Sequence, residues 1–279
     1  MLPRISSFLV LLIFCAISYG QEPAQHHSQH GACRFFGKFC GSLGEYRTVF
    51  KTETMMENLK LIASIGLLLV SSSLFAQTIK LEINQLEAHQ TYLSIEKLMG
   101  KKVLRVAKDS TIKAVDEPTY VRIKGLDFQD GVIEVKVLSR LLKTARPLDR
   151  GFIGITFRID EHHSKFEGIY FRPTNGRADD QVRRNHSIQY FSYPNFKFDR
   201  LRKEAPETFE SYADIGLNEW ITLRIEVKGK EAKLFLNNSK YPVLLVKDLK
   251  LGDNVSGGIG LWVDVGTEGY FRDLKVIKQ

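Results

Sequence analysis

Beyond residue 40 the chain has no cysteine; Cys15, Cys33 and Cys40 are the three in its 279 residues. A fold built from later residues therefore rests on neither a disulfide nor a Cys-ligated metal, which excludes zinc ribbons and thiol catalysis there. After residue 76 there is no apolar run of membrane-spanning length, so no membrane span is expected in the mature chain. Long helical periodicity is scarce in the same region. No long basic run or aromatic-interleaved basic strip argues for nucleic acid. The net charge of +8 is mild. It fits a mixed soluble surface and is compatible with acidic ligands such as uronic or sulfated sugars.

What is present begins with two stretches that look like export signals. In Met1–Gly20, Arg4 precedes the apolar run Phe8–Ile17; from Met56, Lys60 precedes Leu61–Leu74, with Phe75-Ala76-Gln77 as the cleavage point. Apolar runs of this length between a basic end and a small residue have signal-peptide form. Two in tandem make little mechanical sense, so translation is expected to start at Met55 or Met56. Residues 1–55 are then an unstructured upstream extension, 56–76 the signal, and 77–279 one folded domain. The alternative is that the first signal is genuine and Leu61–Leu74 is a buried helix or weak anchor. His26, His27, His30, Cys33 and Cys40 match no standard zinc spacing.

From Gln77 onward, alternation dominates. Strands are expected over Thr78–Ile83, Val103–Val106, Tyr120–Ile123, Val132–Leu138, Phe152–Ile159, Phe166–Arg172, Ser187–Tyr193, Trp220–Val227, Glu231–Leu236, Tyr241–Val246, Gly258–Val265 and Tyr270–Ile277. Leu86–Met99 reads as a short helix or irregular crossing, and Phe196–Glu204 as one helical turn. Ten to twelve strands with turn signals between them predict an all-β fold: a two-sheet antiparallel sandwich.

Several segments carry a resemblance. They are Phe128-Gln-Asp-Gly-Val-Ile-Glu134, the run Gly168 to Gln181 with Arg172-Pro-Thr-Asn-Gly-Arg-Ala-Asp-Asp-Gln181 inside it, Asn218-Glu-Trp-Ile-Thr-Leu-Arg-Ile-Glu-Val227, Ala232-Lys-Leu-Phe-Leu-Asn237 and Gly258-Ile-Gly-Leu-Trp262. Together they resemble secreted bacterial concanavalin A-like (laminin G-like) jelly-roll domains related to the 3-keto-disaccharide hydrolase, or DUF1080-type, family. The resemblance covers nearly all of 77–279 and implies a secreted or periplasmic role in polysaccharide handling. The same sandwich serves lectins, glycosidases, lyases and adhesion modules, so it does not fix a function.

Strand parity places Glu134, Thr156, Arg158, Tyr170, Arg172, Trp262 and Asp264 on solvent-side faces. If they share one sheet, they line a concave polar groove where a glycan ring stacks on Trp262 or Tyr170 and its hydroxyls meet Arg, Asp and Asn. The expected ligand-binding set is Arg158, Tyr170, Arg172, Asn175, Arg177, Asp180, Arg184, His186, Gln189 and Trp262. The 172–186 loop walls one end, with Arg177, Asp179, Asp180 and Arg184 serving either a ligand or loop-rigidifying ion pairs. Catalytic candidates are Glu134, Asp264, His186 and Tyr190, with Asp180 and Glu268 as further carboxylates. A glycosidase needs two carboxylates at a defined separation, but the Glu-x-Asp-x-x-Glu strand motif of the β-glucanases is missing. His186, Tyr190 and Arg184 suit lyase chemistry on a uronic sugar; the alternative is that His186 caps a hydrogen-bond network within the loop. No cofactor is expected; Asp179-Asp180 is a weak pointer to Ca²⁺. His162-His163 reads as a solvated hairpin turn. Three readings stay open: a glycan-binding sandwich, an enzyme of the same fold, and a structural or adhesion module.

Overall fold

A computed structural model describes residues 77–279; the extension and signal assigned to 1–55 and 56–76 lie outside the described residues. The strands are β1 (Gln77–Thr78), β2 (Leu86–His89), β3 (Thr91–Leu98), β4 (Lys101–Lys108), β5 (Tyr120–Ile123), β6 (Gly131–Leu141), β7 (Ile153–Ile159), β8 (Phe166–Phe171), β9 (Ile188–Tyr193), β10 (Glu210–Ser211), β11 (Ile221–Lys228), β12 (Glu231–Leu236), β13 (Leu244–Val246), β14 (Gly258–Val263) and β15 (Thr267–Lys278). Three short helices interrupt them: α1 (Pro173–Gly176), α2 (Gln181–Asn185) and α3 (Phe198–Glu204). One sheet runs β13-β12-β11-β6-β15-β4-β3, with β1 added on β15; the other runs β10-β9-β8-β7-β14-β5-β2. Every strand pairing is antiparallel, giving the expected jelly-roll β-sandwich.

The core between the sheets follows from alternation. Ile133, Val135 and Val137 of β6 and Leu223 and Ile225 of β11 are buried from one side; Ile153, Ile155 and Phe157 of β7 and Ile169 and Phe171 of β8 are buried from the other. Cross-strand register puts Ile225 opposite Ile133 and Leu223 opposite Val135, so like side chains stack on the inner face. Glu134 and Lys136, between them, point away.

The stretch 86–99 is two strands, not a helix or an irregular crossing. β2 belongs to the seven-stranded sheet and β3 to the other, and Gln90 between them takes φ 51°. That left-handed residue turns the chain from one layer into the other. Leu93 and Ile95 pack against the core in alternation, a signal that the helix-forming Leu, Glu and Lys around them masked. At the amino end, Thr78–Ile83 is strand only at Thr78; the chain then bends through a 3₁₀ turn at Ile83–Gln85.

The outer face of the seven-stranded sheet is not wet. Tyr120, Phe166, Tyr170, Phe191 and Trp262 form a second apolar cluster there, all at 1% exposure or less. The rings meet edge-on or tilted, as Tyr170 with Phe191 at 5.4 Å and Tyr170 with Trp262 at 4.8 Å. Gly168 makes room for them: a Cβ there would stand 2.5 Å from the Phe191 ring. The segment 115–119 roofs the cluster. Trp262 Nε1 donates to Glu117 O at 2.9 Å, Thr119 Oγ1 to Val263 O at 2.7 Å, and Lys197 Nζ to Val115 O at 3.2 Å. A sheet covered on both faces reads as continuous apolar runs, and β7, β8 and β14 are buried at every position.

Candidate functional site

Where the roof meets α1, α2 and α3, a cavity of about 460 Å³ opens beside the end of β8. Its walls bring together Tyr170, Arg172, Asn175, His186 and Asp264 from the expected set, with Arg146, Arg150, Arg183, Arg202, Asp116, Asp149, Phe152 and Phe198. Each is placed by local structure. Tyr170 is the last outward-facing residue of β8, one before Phe171 at its end; Arg172 leaves the strand at Pro173, whose ring cannot continue the ladder. Asp180 caps α2 by accepting the Arg183 N–H at 3.1 Å, which sets Arg183 on the first turn.

Arg172 is the hub. Its guanidinium stands 5.0 Å from the Tyr170 ring centre, donates Nη2 to the Tyr170 hydroxyl at 2.8 Å, and reaches His186 O at 3.1 Å and Gln189 Oε1 at 3.3 Å. Asp116 lies beside the Tyr170 hydroxyl. Asp116 is 1% exposed and accepts the Phe198 N–H at 2.8 Å; burial and the neighbouring Asp264 push its carboxyl up to about 6. Asp264 is held by Lys108 Nζ at 2.5 Å and by the Asp116 N–H at 2.9 Å. Burial drives the Tyr170 hydroxyl well above the usual tyrosine value, so it acts as a hydrogen-bonding group and not as a base.

His186 lies at the rim. Its Nδ1 is 2.9 Å from Glu210 Oε2, but off the line of a well-formed hydrogen bond. Burial lowers its pKa, and Glu210 opposes that. Glu210 is itself buried and also takes Arg202 and Arg172.

The remaining expected residues sit elsewhere. Arg158 does not face a groove. β7 carries one extra residue against β14 between Thr156 and Ile159, and Arg158 takes φ 55° in that bulge. The bulge reverses the parity: Ile159 joins the outer cluster and Arg158 turns inward, fully buried. All five of its N–H donors are used, on Gln129 O, Gly252 O, Gly229 O, Asp130 Oδ1 and Glu167 Oε2. Trp262 packs under the roof. Gln189 is buried with its amide on Tyr190 O and Phe209 O. Arg177 pairs with Asp214 at 2.6 Å and Glu219 at 3.2 Å, and Arg184 donates to Tyr212 Oη at 3.0 Å.

The catalytic candidates also separate. Glu134 is on the other sheet, paired with Lys275 at 2.8 Å, so it cannot partner Asp264. Glu268 is there too, bound to Arg105 at 2.6 Å. Tyr190 points into the core between the sheets, donating to Glu167 at 2.9 Å and accepting from Lys250 N, away from His186. The His186–Tyr190–Arg184 arrangement therefore does not form. His163 is not a solvated turn residue: it stacks on His89 at 3.9 Å and meets Tyr120 Oη at 2.9 Å.

Asp116, Arg146, Asp149, Arg150 and Arg202 were outside the expected set because they lie on loops or a helix with no strand parity to follow. Arg146 and Arg150 in one short loop are a sequence signal that could have found part of this set; nothing in the sequence singles out Asp116 or Arg202. Among the described residues no group of three or more His, Cys, Asp or Glu could hold a metal ion, and no helix is long and apolar enough to cross a membrane.

No family profile matches the chain, and no curated protein does. Among solved structures it is similar to a carbohydrate-binding module from Bacillus subtilis, with 13% identity over 68% of this chain and 96% of that one, TM-score 0.41. It is similar also to a galectin-like protein of unknown function from Bacillus subtilis, with 10% identity over 74% and 97%, TM-score 0.43. A third is a β-1,3-1,4-glucanase derived from a mouse hindgut metagenome, with 11% identity over 73% and 98%, TM-score 0.41.

Proposed function

We propose that the chain is an exported carbohydrate-binding β-sandwich whose glycan enters the cavity between the roof and the three short helices. One observation carries this reading: apolar and polar groups converge in a single cavity. Phe152 and Phe198 offer apolar wall, and Arg172, Asn175, His186 and the Tyr170 hydroxyl offer donors and acceptors beside it. A sugar ring presents the same division, C–H faces and a hydroxyl rim. The volume is within the range of small-ligand sites. The resemblance of the Gly168–Gln181 run to secreted jelly-roll domains supports the same reading, and that run supplies Tyr170, Arg172 and Asn175. The test is a glycan array run beside product analysis on neutral and acidic polysaccharides. Binding without products is the expected result; no binding to any glycan overturns it.

A second reading, cleavage of the bound glycan, is favoured by Asp116. A carboxyl with its pKa pushed up to about 6 is suited to giving and taking a proton near neutrality. Products that form with the native chain and vanish with Asp116→Asn would establish it.

A further inference from the structure

The cavity holds more positive charge than its own acids answer. Glu210 takes Arg202 and Arg172, Asp149 takes Arg146 at 3.1 Å, and Asp264 takes Lys108. Arg150 and Arg183 form no ion pair among the described residues. Arg150 donates only to Pro147 O, at 2.7 Å. Arg183 makes two long contacts, to Thr174 O at 3.4 Å and Asn175 Oδ1 at 3.5 Å, and its Nε is buried with no partner. The two guanidiniums and that of Arg172 stand close enough to repel: burial first, then Arg183 and Arg172, lower the Arg150 pKa. Asp149, already paired with Arg146, opposes that lowering only in part, and Asp116 faces Arg172. Like charges held together with too little counter-charge are costly, and an anion between Arg150 and Arg183 removes the cost.

From this geometry we infer that Arg150 and Arg183 grip the acidic group, carboxylate or sulfate ester, of a sugar bound in the cavity. The inference rests on the glycan reading and narrows it to acidic glycans. The planar guanidinium fork matches an oxyanion in two-pronged fashion, and neither arginine has to leave a carboxylate to make that contact. A neighbouring cavity of about 330 Å³ shares Arg146, Asp149 and Val265 with the first as wall, and its own lining adds Asp109 and Lys113.

The test is calorimetric titration of the folded chain with oligouronates (galacturonate, glucuronate and mannuronate trimers), their methyl esters, sulfated neutral trimers, and sodium sulfate alone. The expected result is binding of an oligouronate or a sulfated trimer, with affinity falling as salt is added. The two arms tell which acid is preferred. The methyl ester, or the unsulfated trimer, should bind more weakly by about tenfold or more, and Arg150→Gln or Arg183→Gln should each cost about tenfold. Arg183→Lys, which keeps the charge and loses the fork, should recover part of that loss. The Gln variants should melt with the native chain, since neither side chain holds an acid in place. Equal binding of charged and uncharged sugars overturns the anion inference and leaves glycan binding standing. Binding of sulfate with no sugar binding at all keeps the anion site and overturns the glycan reading. No binding by any of these probes overturns both.

Discussion

Arg158 and Glu167 are 3.2 Å apart and neither side chain touches solvent. The pair draws three loops together, because Arg158 also binds the carbonyls of Gln129, Gly229 and Gly252, while Glu167 accepts from Tyr190 Oη and Leu251 N. Arg158→Met should strand a buried carboxylate and cost about 3–5 kcal/mol. Adding Glu167→Gln removes the stranded charge and should restore a clear share of it. Denaturant unfolding of the single and double variants measures both; a single variant within about 0.5 kcal/mol of the native chain would refute the scaffold role.

Tyr170 serves two masters. Its ring is packed among Phe152, Phe191 and Trp262, and its hydroxyl faces the cavity. Tyr170→Ala should therefore cost about 3–5 kcal/mol, not leave melting unchanged as a surface platform would. Tyr170→Phe keeps the packing and should cost roughly 1–3 kcal/mol, since the buried Arg172 loses an acceptor. Thermal melts of the two variants separate ring from hydroxyl.

Asp116 gives a pH signature. Its carboxyl is pushed up to about 6 in the folded chain, above its ordinary value of 3.8. A group whose pKa rises on folding contributes stability that is full below the unfolded value and is lost as pH rises through the folded one. The native chain should thus lose up to roughly 3 kcal/mol relative to Asp116→Asn between about pH 4 and pH 8. Unfolding both proteins in urea at several pH values measures this difference; one that stays constant across the range contradicts it.

The stacked histidines give the opposite slope. His89 and His163 both have lowered pKa values, chiefly through burial; His163 adds to this at His89 and Arg122 at His163, while Glu87 opposes it at both and Asp160 at His163. Their stabilising contribution is present above the ordinary histidine value and fades as pH falls through the folded values. His163→Phe keeps a ring against His89 and should blunt acid loosening of β2, the edge strand that carries His89. Hydrogen exchange of β2 and β5 amides between about pH 7 and pH 5 reads it; equal acid sensitivity in the variant would count against the stack as its source.

Much of the fold was legible because alternation is a period-two signal and the inner faces obey it: Ile133, Val135, Val137, Leu223 and Ile225 all point where parity puts them. The site was legible only in part. Parity placed Tyr170 on the outer face correctly, but an outer face is wet only if nothing covers it, and the roof at 115–119 has no periodicity to announce it. Arg158 failed for a sharper reason. One inserted residue in β7 reverses every inference drawn beyond it. Glu134 and Asp264 share a parity but not a sheet, a matter of strand order that no local pattern records. Leu86–Met99 was misread because its side chains are good helix formers, while Gln90 supplies the turn.

The roof over the aromatic face divides labour within the chain. Strands β7, β8 and β14 are sealed above and below, so substitutions there are felt as lost cohesion. Most of the groups lining the cavity hang instead from connecting segments. Outside the roof, which the aromatic face needs as its cover, exchange of those segments changes the preferred ligand at less expense to the layered body than any change within the strands.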